Sequence, residues 1–147
     1  MVEGTPSGKG REEAGVIGVT VLFSIFLVVL IVLADLGKLG TLFSFVNRFP
    51  LGDKFAHFFL IGFLSFLVNK TALRLSPGKN PRWVSLIVTM ALLLLFTLEE
   101  ISQIPIADRN ASLSDLAANY AGIMTFSLLA WRTRKKDEDN LISKSEE

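Results

Sequence analysis

The apolar residues of this chain fall into long runs rather than into a short alternation with polar residues. The first run, from Ala14 to Ala34, holds 21 residues without a charge. As a helix it would be about 31 Å long, which matches the hydrocarbon core of a bilayer. Three further runs follow, at residues 51–70, 82–99 and 113–131. The pattern predicts an all-α membrane protein built as a bundle of four transmembrane helices.

Residues 35–50 follow a different pattern, in which single apolar residues recur at helical spacing among polar ones. The apolar positions are Leu36, Leu39, Leu42, Phe43, Val46 and Phe49. Such a segment is typical of a short helix that lies flat at the membrane interface with its apolar face down. The sequence leaves open whether this segment lies on the membrane or folds over the polar residues that follow it.

The other connections and the termini are polar. Residues 76–81 contain two prolines and a glycine, which predicts a turn region. Residues 1–13 are rich in glycine and charge, and they are predicted to form a disordered N-terminus. Residues 132–147 form a basic and then acidic tail, predicted to be disordered from Asp137 onward.

Composition excludes several kinds of site. A length of 147 residues suits one domain, and a formal net charge of +1 gives no basic field for nucleic acid. The chain has no cysteine, which excludes disulfides, thiolate metal sites and cysteine nucleophiles. His57 is the single histidine, so a zinc site with several histidines is excluded too.

The distribution of lysine and arginine predicts the orientation in the membrane. The N-terminus, the 70–82 connection and the C-terminal segment together carry eleven such residues, whereas the other two connections carry four. This difference predicts that both termini lie in the cytoplasm, and that residues 35–54 and 99–115 face outward across the cell membrane.

Polar residues gather at the predicted outer ends of three spans. The second span opens with Asp53, Lys54 and His57, the third ends in Glu99, Glu100 and Gln103, and the fourth begins with Asp115 and Asn119 after Arg109. Because ionisable and amide groups are costly when they face lipid, we expect these side chains to face one another inside the bundle. Asp53 and His57 are four residues apart on one helix face, where they could hydrogen-bond.

This cluster suits proton transfer and the binding of a polar ligand. The catalytic candidates are His57, Glu100, Asp115 and Asp53, since histidine titrates near neutrality and carboxylates can act as bases. The candidates for substrate binding are Lys54, Arg109, Gln103 and Asn119, with the two cations suited to phosphate. The carboxylates and the imidazole are also metal-ligand types. A purely structural role, in capping helices and pairing charges, is the alternative reading.

Two motifs in this region resemble those of the VanZ-like family of membrane proteins. The first is Asp53-Lys54-x-x-His57-Phe58 before an apolar span; the second is Glu100-x-x-Gln103, then Arg109, Asp115-x-x-x-Asn119 and Gly122. The resemblance covers residues 52–122 and implies a four-span protein of the bacterial-type cell envelope. The family takes its name from a protein associated with teicoplanin resistance. Residues 123–126 lack a further glycine that often follows in relatives, so packing of the fourth span is expected to differ.

Three function classes are compatible with these observations. The first is a multi-pass membrane protein, enzymatic or not, whose outer polar site binds or modifies an amphiphilic or lipid-linked envelope molecule and influences glycopeptide susceptibility. The second is a non-catalytic interaction or scaffold protein with a structural polar cluster. A transporter ranks last, because the middles of the spans lack charge and proline. The lipid bilayer is the one partner implied directly; the sequence does not identify a cofactor, a metal or an oligomeric state.

Overall fold

A computed structural model describes residues 8–46, 48–105 and 112–145, and every regular element in these ranges is a helix. The five helices are α1 (Gly8–Asp35), α2 (Gly40–Val46), α3 (Gly52–Leu75), α4 (Pro81–Ser102) and α5 (Leu113–Ser145). The prediction of an all-α fold is therefore confirmed.

Three of these helices are long and apolar enough to cross a membrane: α1 from Gly10 to Asp35, α3 and α4. Many of their large apolar side chains are more than half exposed, for example Leu22, Ile87 and Leu94. Exposed apolar surface of this extent is unusual in a soluble monomer and is what lipid-facing helices present. The chain thus has the composition of a multi-pass membrane protein. The fourth predicted span, residues 113–131, forms the first part of α5.

Local signals explain where α3 ends and α4 begins. The predicted turn region lies between the two helices, and Gly78 adopts a left-handed φ of 79° there. Asn80 caps α4, because its side chain accepts a hydrogen bond of 3.0 Å from the backbone N–H of Arg82. Pro81 occupies the first turn, where its missing N–H leaves no hydrogen bond unmade.

Helices α3 and α5 run in the same direction and pack along most of the length of α3. Residues of the two helices that contact each other are separated by an almost constant number of positions in the sequence. Lys54 contacts Asp115 near the start of both helices, and further along the Arg134 guanidinium donates to the Leu73 carbonyl. Helix α4 is antiparallel to both, and the hydroxyls of Thr97 in α4 and Tyr120 in α5 lie 2.7 Å apart.

Helix α1 is antiparallel to α3 and packs against it. The hydroxyls of Thr20 and Thr71 lie 2.8 Å apart, and the rings of Phe23 and Phe63 meet edge to face with their centroids 4.9 Å apart. The starts of α3 and α5 therefore lie at the same end of the bundle as the ends of α1 and α4. We call this the polar end.

The α3–α5 contact is close because α5 carries a glycine, Gly122, in its third turn. A Cβ atom on Gly122 would lie 2.4 Å from the carbonyl oxygen of Phe58 and 3.2 Å from the backbone nitrogen of Gly62. Only a glycine lets the two backbones approach this closely. The sequence places Gly122 four residues after Ala118, a spacing of small residues that predicts such a contact, and the structure has it at Gly122.

A buried polar network joins three helices nearer the other end of the bundle. The fully buried Asn69 amide donates to the Ser65 carbonyl and to Ser127 Oγ, and its oxygen accepts from Ser85 Oγ, at 2.9–3.0 Å. Ser65 and Ser127 Oγ lie 2.7 Å apart. Such hydrogen bonds hold helices together where lipid offers no partner. Sequence reasoning missed this network, although serine and asparagine within apolar runs were its visible signal.

The helices extend further at both termini than the sequence predicts. Helix α1 begins at Gly8, inside the segment 1–13 predicted to be disordered, and residues 1–7 lie outside the described residues. Helix α5 continues to Ser145, through most of the tail that was predicted to be disordered. Residues 123–145 contain no proline or glycine. A helix already nucleated by packing therefore propagates through polar residues at little cost.

Candidate functional site

The polar end brings together side chains from three helices that are distant in sequence. Helix α3 contributes Asp53, Lys54 and His57 from its first turns, and α4 contributes its last turn. Helix α5 contributes Asp115 and Asn119 from its first two turns. Because successive spans cross in alternating directions, these helix ends are expected to meet at one end of the bundle.

Lys54 lies between two carboxylates. Its ammonium group pairs with the neighbouring Asp53 and, across the α3–α5 contact, lies 2.9 Å from Asp115 Oδ1. The side chains of Lys54 and Asp115 are 29% and 15% exposed, so solvent screens this cross-helix pair less than a surface pair. The charge of Lys54 is consequently balanced from within the protein.

His57 contacts α5 rather than its own helix. Its Nδ1 lies 3.1 Å from Oδ1 of the fully buried Asn119. An amide oxygen can only accept, so Nδ1 donates, and in the neutral ring Nε2 is left as the acceptor. Asp53, which the sequence placed as a partner of His57, bonds to Lys54 instead.

Glu100 is 5% exposed and joins α4 to the start of α5. Its Oε1 accepts a 2.6 Å hydrogen bond from the backbone N–H of Ser112, the residue just before α5. A carboxylate here also stabilises the positive end of the α5 dipole. Its Oε2 is buried and makes no hydrogen bond to the described residues. At the end of α4, Nε2 of the capping residue Gln103 donates to Glu99 Oε1 at 2.7 Å.

A cavity of about 310 Å³ opens beside this cluster, between α1, α2, α3 and α4. Twelve of its lining residues are apolar, and the other three are Asp53, His57 and Glu99. The apolar walls come from the last turns of α1, from α2 with the turn before it, from α3 and from Phe96 of α4. Apolar walls with a few convergent polar groups are the usual composition of a small-molecule site.

Helix α2 and the turn before it cover one side of the cavity through Leu39, Leu42 and Val46. The end of α2 is in close backbone contact with the start of α3, since a Cβ atom on Gly52 would be 2.1 Å from the Val46 carbonyl oxygen. The apolar face of residues 35–50 is thus turned at least partly toward a cavity in the protein. Sequence periodicity identified that face but not the cavity, whose other walls come from three separate helices.

Arg109 lies outside the described residues. Within the ranges that the structure describes, no three or more histidine, aspartate and glutamate side chains are grouped so as to hold a metal ion.

No family model matches this chain, and neither a curated protein nor a solved structure shows significant similarity to it.

Proposed function

We propose that this chain is a four-span protein of the cell membrane, with the polar end on the outer side and both termini in the cytoplasm. The support for a fourth span is the register of α5 beside α3, from Asp115 near one end to Arg134 near the other. If α3 crosses the bilayer, a helix packed in parallel along it crosses as well. The excess of lysine and arginine at the opposite ends of the helices supports the orientation.

The proposed function is to bind an amphiphilic or lipid-linked molecule of the cell envelope at the polar end. The cavity is the observation that carries this proposal, because its apolar walls suit a hydrocarbon chain and its polar residues, Asp53, His57 and Glu99, suit a headgroup. In the proposed orientation the cavity lies in the outer half of the bilayer, where such molecules have their headgroups.

The side chains also support proton transfer to His57. With Nδ1 held by Asn119, the acceptor Nε2 is the atom that would take a proton from a ligand hydroxyl or amine. Glu100 is a weaker candidate base, since it does not line the cavity and one oxygen is bonded to the start of α5. We assign Glu100 and Asp115 a positioning role and His57 the chemical role.

The resemblance to the VanZ-like family rests on the two motifs, and it is the reason to propose an effect on glycopeptide susceptibility. The described residues of both motifs, apart from Phe58 and Gly122 in the close α3–α5 contact, lie at the polar end.

A non-catalytic scaffold is the second candidate function. The observation that favours it is that Lys54, Asp115 and Glu100 all have partners within the protein. Such pairing by itself would serve only to hold α3, α4 and α5 together.

Complementation of a deletion strain distinguishes the two. Teicoplanin susceptibility and envelope stress are measured for the wild type and for His57→Ala, Glu100→Gln and Asp115→Asn, each at matched membrane level. We expect His57→Ala to accumulate normally and fail to complement. Full complementation by His57→Ala would favour the scaffold and remove the proposed chemical role.

A cavity variant and a matched control complete the experiment. Ala56→Phe adds a ring inside the cavity, whereas Ala91→Phe adds the same ring on an exposed face of α4. We expect the first to lose function and the second to keep it. Equal activity of the two variants would show that the cavity is not used.

A further inference from the structure

We propose that a groove between α4 and α5 binds one acyl chain of an anionic phospholipid, whose headgroup lies at Arg82. This α4–α5 groove is a second site, and it begins at the end of the bundle opposite the polar end. The inference requires that α5 crosses the bilayer beside α4, and it is independent of the cavity lined by His57.

The length of the α4–α5 groove matches one leaflet of a bilayer. Its volume is about 560 Å³, and its residues on α4 recur three or four positions apart from Arg82 to Leu93. On α5 the groove runs back from Met124 to Trp131. The stretch from Arg82 to Leu93 corresponds to about 17 Å of helix, close to half of the roughly 30 Å hydrocarbon core. A groove of this length accommodates the acyl chain of a lipid in one leaflet.

The walls of the groove suit a hydrocarbon chain. Leu86 and Leu128 face each other from the two helices, and both side chains are more than two fifths exposed. Met90 and Met124 are more than half exposed. Because methionine side chains are flexible and polarizable, they can adapt to a chain whose conformation varies.

Three of the four serine and threonine residues that line the groove use their hydroxyls within the protein. Ser85 Oγ donates to Asn69 Oδ1 at 2.9 Å, and Thr89 Oγ1 donates to the Ser85 carbonyl at 2.7 Å. Ser127 Oγ accepts from the Asn69 amide at 2.9 Å. A hydrocarbon chain can therefore lie against these residues without leaving their hydroxyls unpaired.

A cation and an aromatic ring form one end of the groove. The Arg82 guanidinium lies 5.9 Å from the centroid of the Trp131 ring, and the Arg82 side chain is exposed. No aspartate or glutamate of the described residues forms an ion pair with Arg82. Tryptophan and arginine at the end of a span are typical of the membrane interface, where phosphate groups lie. The planar guanidinium can donate two hydrogen bonds to one phosphate.

The surroundings of Arg82 favour an anionic headgroup. Residues 70–82 carry four lysine and arginine residues and no aspartate or glutamate. Arg82 also lies in the first turn of α4, where the helix dipole has its positive end. Glu12 and Glu13, at the same end of the bundle, belong to α1 and do not line the groove. A phosphatidylcholine headgroup fits less well, because its choline would bring a further positive charge.

Photocrosslinking with two lipid probes tests the proposal. The probes are a phosphatidylglycerol and a phosphatidylcholine with the same diazirine-bearing acyl chain, each added in equal trace amount to the full chain in phosphatidylcholine nanodiscs. Crosslinked peptides are mapped by mass spectrometry. We expect labelling around Leu86 and Leu128, with phosphatidylglycerol ahead by about fivefold, equivalent to about 1 kcal/mol. Equal labelling of the groove by the two probes would overturn the proposal.

Two charge variants distinguish a site from general attraction of anionic lipid to this end of the bundle. Arg82→Gln and Arg132→Gln each remove one positive charge there, but Arg132 does not line the groove. We expect Arg82→Gln to lose most of the preference for phosphatidylglycerol and Arg132→Gln to keep most of it. The same loss in both variants would contradict a headgroup site at Arg82.

Two steric variants test the groove itself. Thr125 is an exposed residue of the groove, whereas Ala91 is exposed on α4 outside it. We expect Thr125→Trp to lose the labelling of the groove and Ala91→Trp to keep it, and equal labelling of the two would overturn the proposal. A dimer in the nanodiscs that Thr125→Trp abolishes would overturn it as well, because a second copy of the chain would then cover the groove.

Discussion

The substitution Gly122→Ala adds a single methyl group, and the structure predicts that it is strongly destabilising. The new methyl carbon would lie 2.4 Å from the Phe58 carbonyl oxygen, and ordinary van der Waals contact begins near 3.4 Å. Helices α3 and α5 would have to separate by roughly 1 Å, because the opposing atoms belong to the backbone and cannot rotate away. Overpacking of this kind costs about 1–3 kcal/mol.

Gly18→Ala is the matched control, because a Cβ atom at this position of α1 meets nothing within 4 Å. Replacing glycine by alanine in a helix interior should stabilise the chain by roughly 0.5–1 kcal/mol. The two variants are therefore expected to change the free energy of unfolding in opposite directions. The assay is reversible unfolding in mixed micelles with increasing dodecyl sulfate, followed by circular dichroism.

A crosslink reports on the α3–α5 distance separately from stability. The chain has no cysteine, so Ser65→Cys with Ser127→Cys gives a single pair, at positions whose hydroxyls lie 2.7 Å apart. Oxidation should join this pair quickly, and more slowly when Gly122→Ala is added. If Gly122→Ala unfolds like Gly18→Ala and crosslinks at the unmodified rate, the close α3–α5 contact is wrong.

Three further predictions concern the polar side chains. Asn69→Ala leaves three polar groups without their amide partner and should lower the free energy of unfolding by about 1–3 kcal/mol; wild-type stability would contradict the network. Lys54→Met should lower the free energy of unfolding, and adding Asp115→Asn should partly restore that free energy. The coupling energy between Lys54 and Asp115 in a double-mutant cycle should be about 0.5–3 kcal/mol; additive effects would exclude the ion pair between them. Nitrogen NMR should find the neutral His57 ring protonated at Nδ1, and Asn119→Ala should weaken the preference for this tautomer. A proton on Nε2 in the wild type would contradict the hydrogen bond from Nδ1 to Asn119.

The sequence predicts α1, α3 and α4 well because their signals are local. A charge-free run as long as a bilayer is thick, or a proline and glycine cluster between two such runs, needs no knowledge of tertiary contacts. The helix ends at Gly8 and Ser145 were not predicted, since polar composition was read as disorder. A polar segment attached to a packed helix can remain helical, and composition alone does not register that attachment.

The site was predicted as a region but not as a set of contacts. Alternating helix directions bring the chosen helix ends together, which is why residues 61 or 62 apart in sequence could be grouped. Sequence spacing suggested Asp53 as the partner of His57, whereas the structure gives Asn119, since a cross-helix neighbour competes with the residue one turn away. The cavity could not be predicted, because its volume depends on how four elements pack.

The central claim is that the cavity at the polar end holds a hydrocarbon chain. The most direct measurement is mass spectrometry of the lipids retained by purified wild-type chain, Ala56→Phe and Ala91→Phe after identical washing. We predict a retained amphiphile in the wild type and in Ala91→Phe, and its loss in Ala56→Phe. The same lipids in the same amounts on all three would contradict the claim, because binding would then be independent of the cavity.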